Sequence, residues 1–178
     1  MVRNIIAFWL LLIFATMPSI VKAEVVRVWA DNPTLVWTTS PLTLGQEYLL
    51  EATGTFTYTD DEMPADAEWA YRRADGIWME YLSPSPDPEV ILDLFVNETA
   101  QNWWGTTDGI NFSPHTYSPS HSYRLSFMGT GNAISFRVYD TQYDDNAGYL
   151  DVEITAIPEP ATLLLLGLGA VLFRRKQQ

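Results

Sequence analysis

The chain of 178 residues contains no cysteine and only two histidines, His115 and His121. The first absence excludes disulfides, a thiolate nucleophile and any thiolate-held zinc or iron–sulfur centre. The second argues against a His-rich metal site. Basic residues are scarce too, with 10 Lys and Arg against 22 Asp and Glu and a net charge of −12. Between residues 24 and 156 only Arg27, Arg72, Arg73, Arg124 and Arg137 face 21 of those acids, a net charge of −16. Binding to phosphate backbones needs a basic footprint, so nucleic acid is excluded as a partner. Between the two ends, no stretch of globular-helix length keeps a helical period, and no internal repeat is visible. Stability without disulfides has to come from a core, and Trp29, Trp37, Trp69, Trp78, Trp103 and Trp104 supply aromatic bulk for one.

The ends read differently from the middle. Arg3, the apolar run from Ile5 to Ala15 and the small residues of Val21-Lys22-Ala23 form a secretory signal peptide, with cleavage expected after Ala23. The other end runs Ile157-Pro158-Glu159-Pro160, then an apolar stretch from Ala161 to Phe173, then Arg174-Arg175-Lys176-Gln177-Gln178. The basic cluster is expected to stay cytoplasmic. Thirteen helical residues span about 20 Å against a bilayer core of about 30 Å, enough for a transient anchor. This three-part tail resembles the PEP-CTERM sorting signal of exopolysaccharide-producing Gram-negative bacteria. The resemblance implies an exosortase as processing partner, cleavage near Pro158, Glu159 and Pro160, transient residence in the inner membrane, and delivery to the cell surface or extracellular matrix. The domain plan is therefore a signal peptide over 1–23, one domain over 24–156 and a sorting signal with a short hydrophobic helix over 157–178.

Inside the domain, period-two alternation predicts strands over Val25–Trp29, Leu35–Thr38, Glu47–Thr53, Thr55–Thr59, Tyr123–Met128, Ile134–Tyr139 and Leu150–Thr155, with a buried strand over Val90–Val96 and a further one over Ile77–Leu82. Gly54 marks a bulge or a close backbone approach. Gly129-Thr130-Gly131-Asn132 reads as a hairpin turn. Residues 60–76 and 97–122 keep no period and read as long loops, where binding residues concentrate. About nine short strands separated by turn signals predict an all-β fold, an antiparallel β-sandwich.

Asp140-Thr141-Gln142-Tyr143-Asp144-Asp145-Asn146-Ala147-Gly148 joins the last two strands. Three carboxylates and an amide in so short a bend are hard oxygen donors of the kind Ca²⁺ takes; Asp, Asn and Gly are equally ordinary turn residues. Pro41–Tyr58 and Tyr123–Ile154 together resemble the calcium-dependent galactose-binding lectins of bacteria, within the wider jelly-roll sandwiches. That resemblance implies a jelly-roll, and a Ca²⁺ held by the carbonyl of Tyr58 and the side chains of Asp140, Asp145 and Asn146. Asp144 is nearest the position of the family's Thr ligand, in a loop about two residues shorter. Asp140 would also touch a sugar hydroxyl. The His and Gln with which the family grips its sugar have no match, and Arg72 and Arg73 occupy that region, so galactose specificity is not implied. Trp103 and Trp104, with Trp69 and Tyr71 behind them, are the candidates to stack on a sugar ring; packing beneath a long loop is the competing role.

The function expected is non-catalytic binding of extracellular polysaccharide through calcium. The alternative is a structural or adhesion module of the matrix whose acidic bend at most fixes a stabilising cation. A polysaccharide-cleaving enzyme would need carboxylates with distinct environments, and no motif among Asp60, Asp61, Glu62, Asp66 and Glu68 singles out a pair.

Overall fold

A computed structural model describes residues 24–58, 63–73, 75–80, 93–140 and 142–158. The expected signal peptide, the hydrophobic helix, Glu159 and Pro160 lie outside these residues, and Thr141 does too. The described chain is all-β with antiparallel pairing throughout and no helix.

Eleven strands form two sheets: β1 (Glu24–Trp29), β2 (Val36–Trp37), β3 (Glu47–Thr53), β4 (Phe56–Thr57), β5 (Pro64–Ala65), β6 (Trp69–Arg72), β7 (Ile77–Glu80), β8 (Asp93–Val96), β9 (Ser122–Met128), β10 (Ser135–Tyr139) and β11 (Ala147–Ala156). The larger sheet runs β7-β6-β5-β4-β11-β3-β9, with β1 on the other edge of β11; the smaller is β2-β10-β8. β11 is the hub, because its ten residues pair with β1, β3 and β4. Alternation on each strand sends Val26, Val28, Leu50, Ala52, Leu150, Val152 and Ile154 inward from the larger sheet, against Leu94, Val96, Phe136 and Val138 from the smaller.

Two expectations change and one is narrowed. Of the two readings of Gly54, a bulge or a close approach, the bulge is excluded: Thr53 pairs with Asp151 and Phe56 with Gly148, the same register on both sides, so no extra residue is inserted. Gly54 is a close approach, at φ +106° and with a Cβ position only 3.3 Å from the carbonyl oxygen of Tyr149. The stretch Gly129–Asn132 is not a hairpin turn, since β9 and β10 belong to different sheets. It crosses between them while bonding Leu42, Gly45 and Gln46. Residues 60–76 are not one long loop: β5 and β6 lie there and extend the larger sheet. Their alternation is hidden in the sequence because the turn between them buries two acids, Asp66 and Glu68, where apolar residues are the usual signal.

Candidate functional site

The β4–β11 register, carried one residue further, sets Tyr58 opposite Asn146. The bend between β10 and β11 thus comes back to the end of β4. Asp140 and Asn146 are buried, Asp145 is half-buried and Asp144 is exposed. Asp140 Oδ1 accepts the Gln142 N–H at 3.2 Å, and the Asp140 N–H donates to the Tyr143 hydroxyl at 3.2 Å. Asn146 Nδ2 donates to the carbonyl of Ala30 at 3.1 Å, while its Oδ1 is buried and accepts no hydrogen bond. Burial, and next the charge of Asp140, hold the Tyr58 hydroxyl above its ordinary pKa. That hydroxyl donates to the carbonyl of Tyr71 at 2.9 Å, tying the corner to β6. Among the described residues no three of His, Asp and Glu stand close enough to share a metal ion. The expected trio of carboxylates therefore does not gather. The oxygen set that remains is Asp140, the orphaned Asn146 oxygen and backbone carbonyls at Tyr58, chemically suited to a hard cation.

The expected stacking residues separate. Trp103 is fully buried, its indole N–H donating to the Leu94 carbonyl at 2.9 Å and its backbone N–H to Glu68 Oε2 at 3.0 Å. It is a core residue and cannot face a ligand. Trp104 is 48% exposed and bridges to Arg124. Trp69 and Tyr71 share one face of β6, and the pairs Trp69–Glu80 and Tyr71–Trp78 put Trp78 and Glu80 on that face too. Tyr117 and His121 from the following irregular region close the group. Tyr117 stacks on Trp78 with centroids 5.1 Å apart and meets Trp69 edge-on at 5.7 Å; His121 lies 4.9 Å from Trp78. The result is a half-buried aromatic wall on this face of β6 and β7.

Carboxylates stand behind the wall. Asp66 Oδ1 accepts the N–H groups of Glu68 and Trp69, and its Oδ2 accepts the Tyr123 hydroxyl at 2.8 Å and lies 2.9 Å from His121 Nδ1. Glu80 bonds His115 Nδ1. Burial raises the Glu68 carboxyl to about 8, helped by the charges of Glu80 and Asp66 and opposed by the Trp103 N–H. Burial, then the charge of Glu68, raises Asp93 to about 9. Sequence reasoning did not single out Trp78, Tyr117 or His121. The only local signal was aromatic spacing of two in Trp69-x-Tyr71, which marks one strand face; the contact of His121 with Asp66 spans 55 residues and leaves no local trace.

No curated protein and no solved structure matches the chain. Residues 156–176 match the PEP-CTERM protein-sorting motif, of which Pro158 is described and exposed. The chain is accordingly an exported protein with a C-terminal, membrane-anchoring sorting signal that makes it a substrate for exosortase processing.

Proposed function

We propose that the exported domain is a non-catalytic carbohydrate-binding module, built as a lectin-like β-sandwich, that holds extracellular polysaccharide at the cell surface or in the matrix. The observation that supports this best is the aromatic wall of Trp69, Tyr71, Trp78 and Tyr117 on one sheet face. Flat rings with polar groups at their border suit the apolar faces and hydroxyls of pyranose rings. The Tyr58–Asp140–Asn146 corner is the proposed Ca²⁺ position, on the ground that a buried amide oxygen with no hydrogen bond, in the same bend as a buried carboxylate, gains from a cation.

Titration of the full chain with neutral and charged oligosaccharides, with and without chelator, tests the reading. Binding that disappears in Trp78→Ala while the melting temperature holds supports it; no heat with any glycan ends it. For the cation, Ca²⁺ at 100 times its dissociation constant adds about 2.7 kcal/mol of stability. Asn146→Ala is expected to abolish that increment, and a melting temperature indifferent to millimolar Ca²⁺ removes calcium from the proposal.

A further inference from the structure

His121 is held in a fixed place by its surroundings. Its backbone has φ +49°, in the left-handed region where Asn, Asp and His are the non-glycine residues most often found. Its Nδ1 lies 2.9 Å from Asp66 Oδ2, and that carboxylate is wholly enclosed and further fixed by two backbone N–H groups and the Tyr123 hydroxyl. A carboxylate so held accepts the imidazole N–H, which assigns the hydrogen to Nδ1 and, in the neutral ring, leaves Nε2 as an acceptor. Nε2 has no hydrogen-bond partner among the described residues, and the side chain is 25% exposed. The ring sits at the border of the aromatic wall, against Trp78 and Tyr117.

An oriented acceptor at the edge of π faces asks for a donor, and the surroundings set its charge. Glu80 shares the wall face, and Asp66 lies behind it. Arg72 falls on the opposite side of β6 in the strand alternation and bonds Asp75. The domain as a whole carries −16. Such a field repels uronic or sulfated polymers and attracts cations, which aromatic faces also favour.

Resting on the carbohydrate-binding reading above, we infer that the wall selects a cationic glycan, one whose hexosamine units carry free amino groups, and that His121 is its specificity-determining residue, accepting a hydrogen bond from the ammonium at Nε2. Trp78 and Tyr117 supply the ring contact and the cation–π attraction; Asp66 acts through His121 and is a positioning residue.

The experiment compares chitosan oligosaccharides with fully N-acetylated chitin oligosaccharides of the same length, cello-oligosaccharides and oligoguluronates, against the full chain by calorimetry. The amine form is expected to bind at least tenfold more tightly than its acetylated counterpart, with an affinity that falls as salt rises. His121→Leu should remove that preference, and His121→Gln, which can still offer an acceptor, should restore part of it. Both variants are checked for an unchanged melting temperature; if His121→Leu unfolds, Trp78→Ala, which leaves the Asp66 network in place, should lower affinity for the amine form instead. Equal affinity for amine and acetylated forms overturns the inference and leaves the carbohydrate reading standing. Tighter binding of oligoguluronate also overturns it. Absence of binding to all four overturns both.

Discussion

Two adjacent tryptophans show what a single residue's surroundings decide. Trp103 is completely enclosed and uses both of its N–H groups, whereas its neighbour Trp104 is 48% exposed. Truncating the first leaves a large cavity and strips partners from the Leu94 carbonyl and from Glu68. Trp103→Ala is expected to cost about 3–5 kcal/mol, and Trp104→Ala within about 1 kcal/mol, both read from urea midpoints at constant slope. The sequence placed the two together as ring-stacking candidates, because composition cannot say which of two consecutive tryptophans turns inward. It grouped Tyr58, Asp140 and Asn146 only through the resemblance of their flanking strands to a known family; of that grouping, the β4–β11 register sets Tyr58 opposite Asn146. It missed His121 because the group that gives the imidazole its orientation, Asp66, comes from a distant turn.

At the scale of elements, alternation was a reliable guide wherever one face of a strand meets the core and the other meets water, as in β1, β3, β9, β10 and β11. It failed at β5 and β6, where the buried positions of the connecting turn are acidic. It was also blind to whether a Gly-rich link turns back within a sheet or crosses to the other, since both demand the same local chemistry. Gly129 makes the distinction testable. At the crossing, a Cβ added there would stand 2.1 Å from the backbone oxygen of Thr43, although the residue needs no positive φ. Gly45, a neighbour in the same crossing, has φ +77° with open space around it. Gly129→Ala must displace backbone and is expected to cost roughly 2–4 kcal/mol, against about 1 kcal/mol for Gly45→Ala, which bears conformational strain alone. A reversed order in the two denaturation midpoints would mean that the crossing is looser than its hydrogen bonds to Leu42, Gly45 and Gln46 indicate.

For the whole molecule, the absences read at the start become an experimental advantage. Residues 24–156 contain no lysine and no cysteine, and their histidines number two, so very little titrates there between pH 7 and the onset of tyrosine ionisation near 10. Against that quiet background stand Glu68 and Asp93, whose carboxyls rise from 4.5 to about 8 and from 3.8 to about 9 because both are buried, with the charges of Glu80 and Asp66 adding to the first and that of Glu68 to the second. The folded chain keeps protons there that the unfolded chain has already released, so the folded state binds more protons throughout the window from about 4 to 9. Stability must then fall as pH rises through that window and level off above it, the reverse of the usual carboxylate that is stabilised by ionising. The loss between pH 7 and 9 should reach on the order of 4 kcal/mol, because Glu68 gives up about one unit and Asp93 nearly two over that range and one unit corresponds to about 1.4 kcal/mol. Asp93→Asn takes away one of the two raised carboxyls, the one whose shift Glu68 adds to, and is expected to flatten the profile and raise the melting temperature at pH 9. The measurement is thermal unfolding of the full chain at fixed ionic strength across that range; a melting temperature that climbs from pH 7 to 9, or a slope unaltered in Asp93→Asn, would show that these two carboxyls stay ionised in the fold and that some cation, not a proton, offsets them.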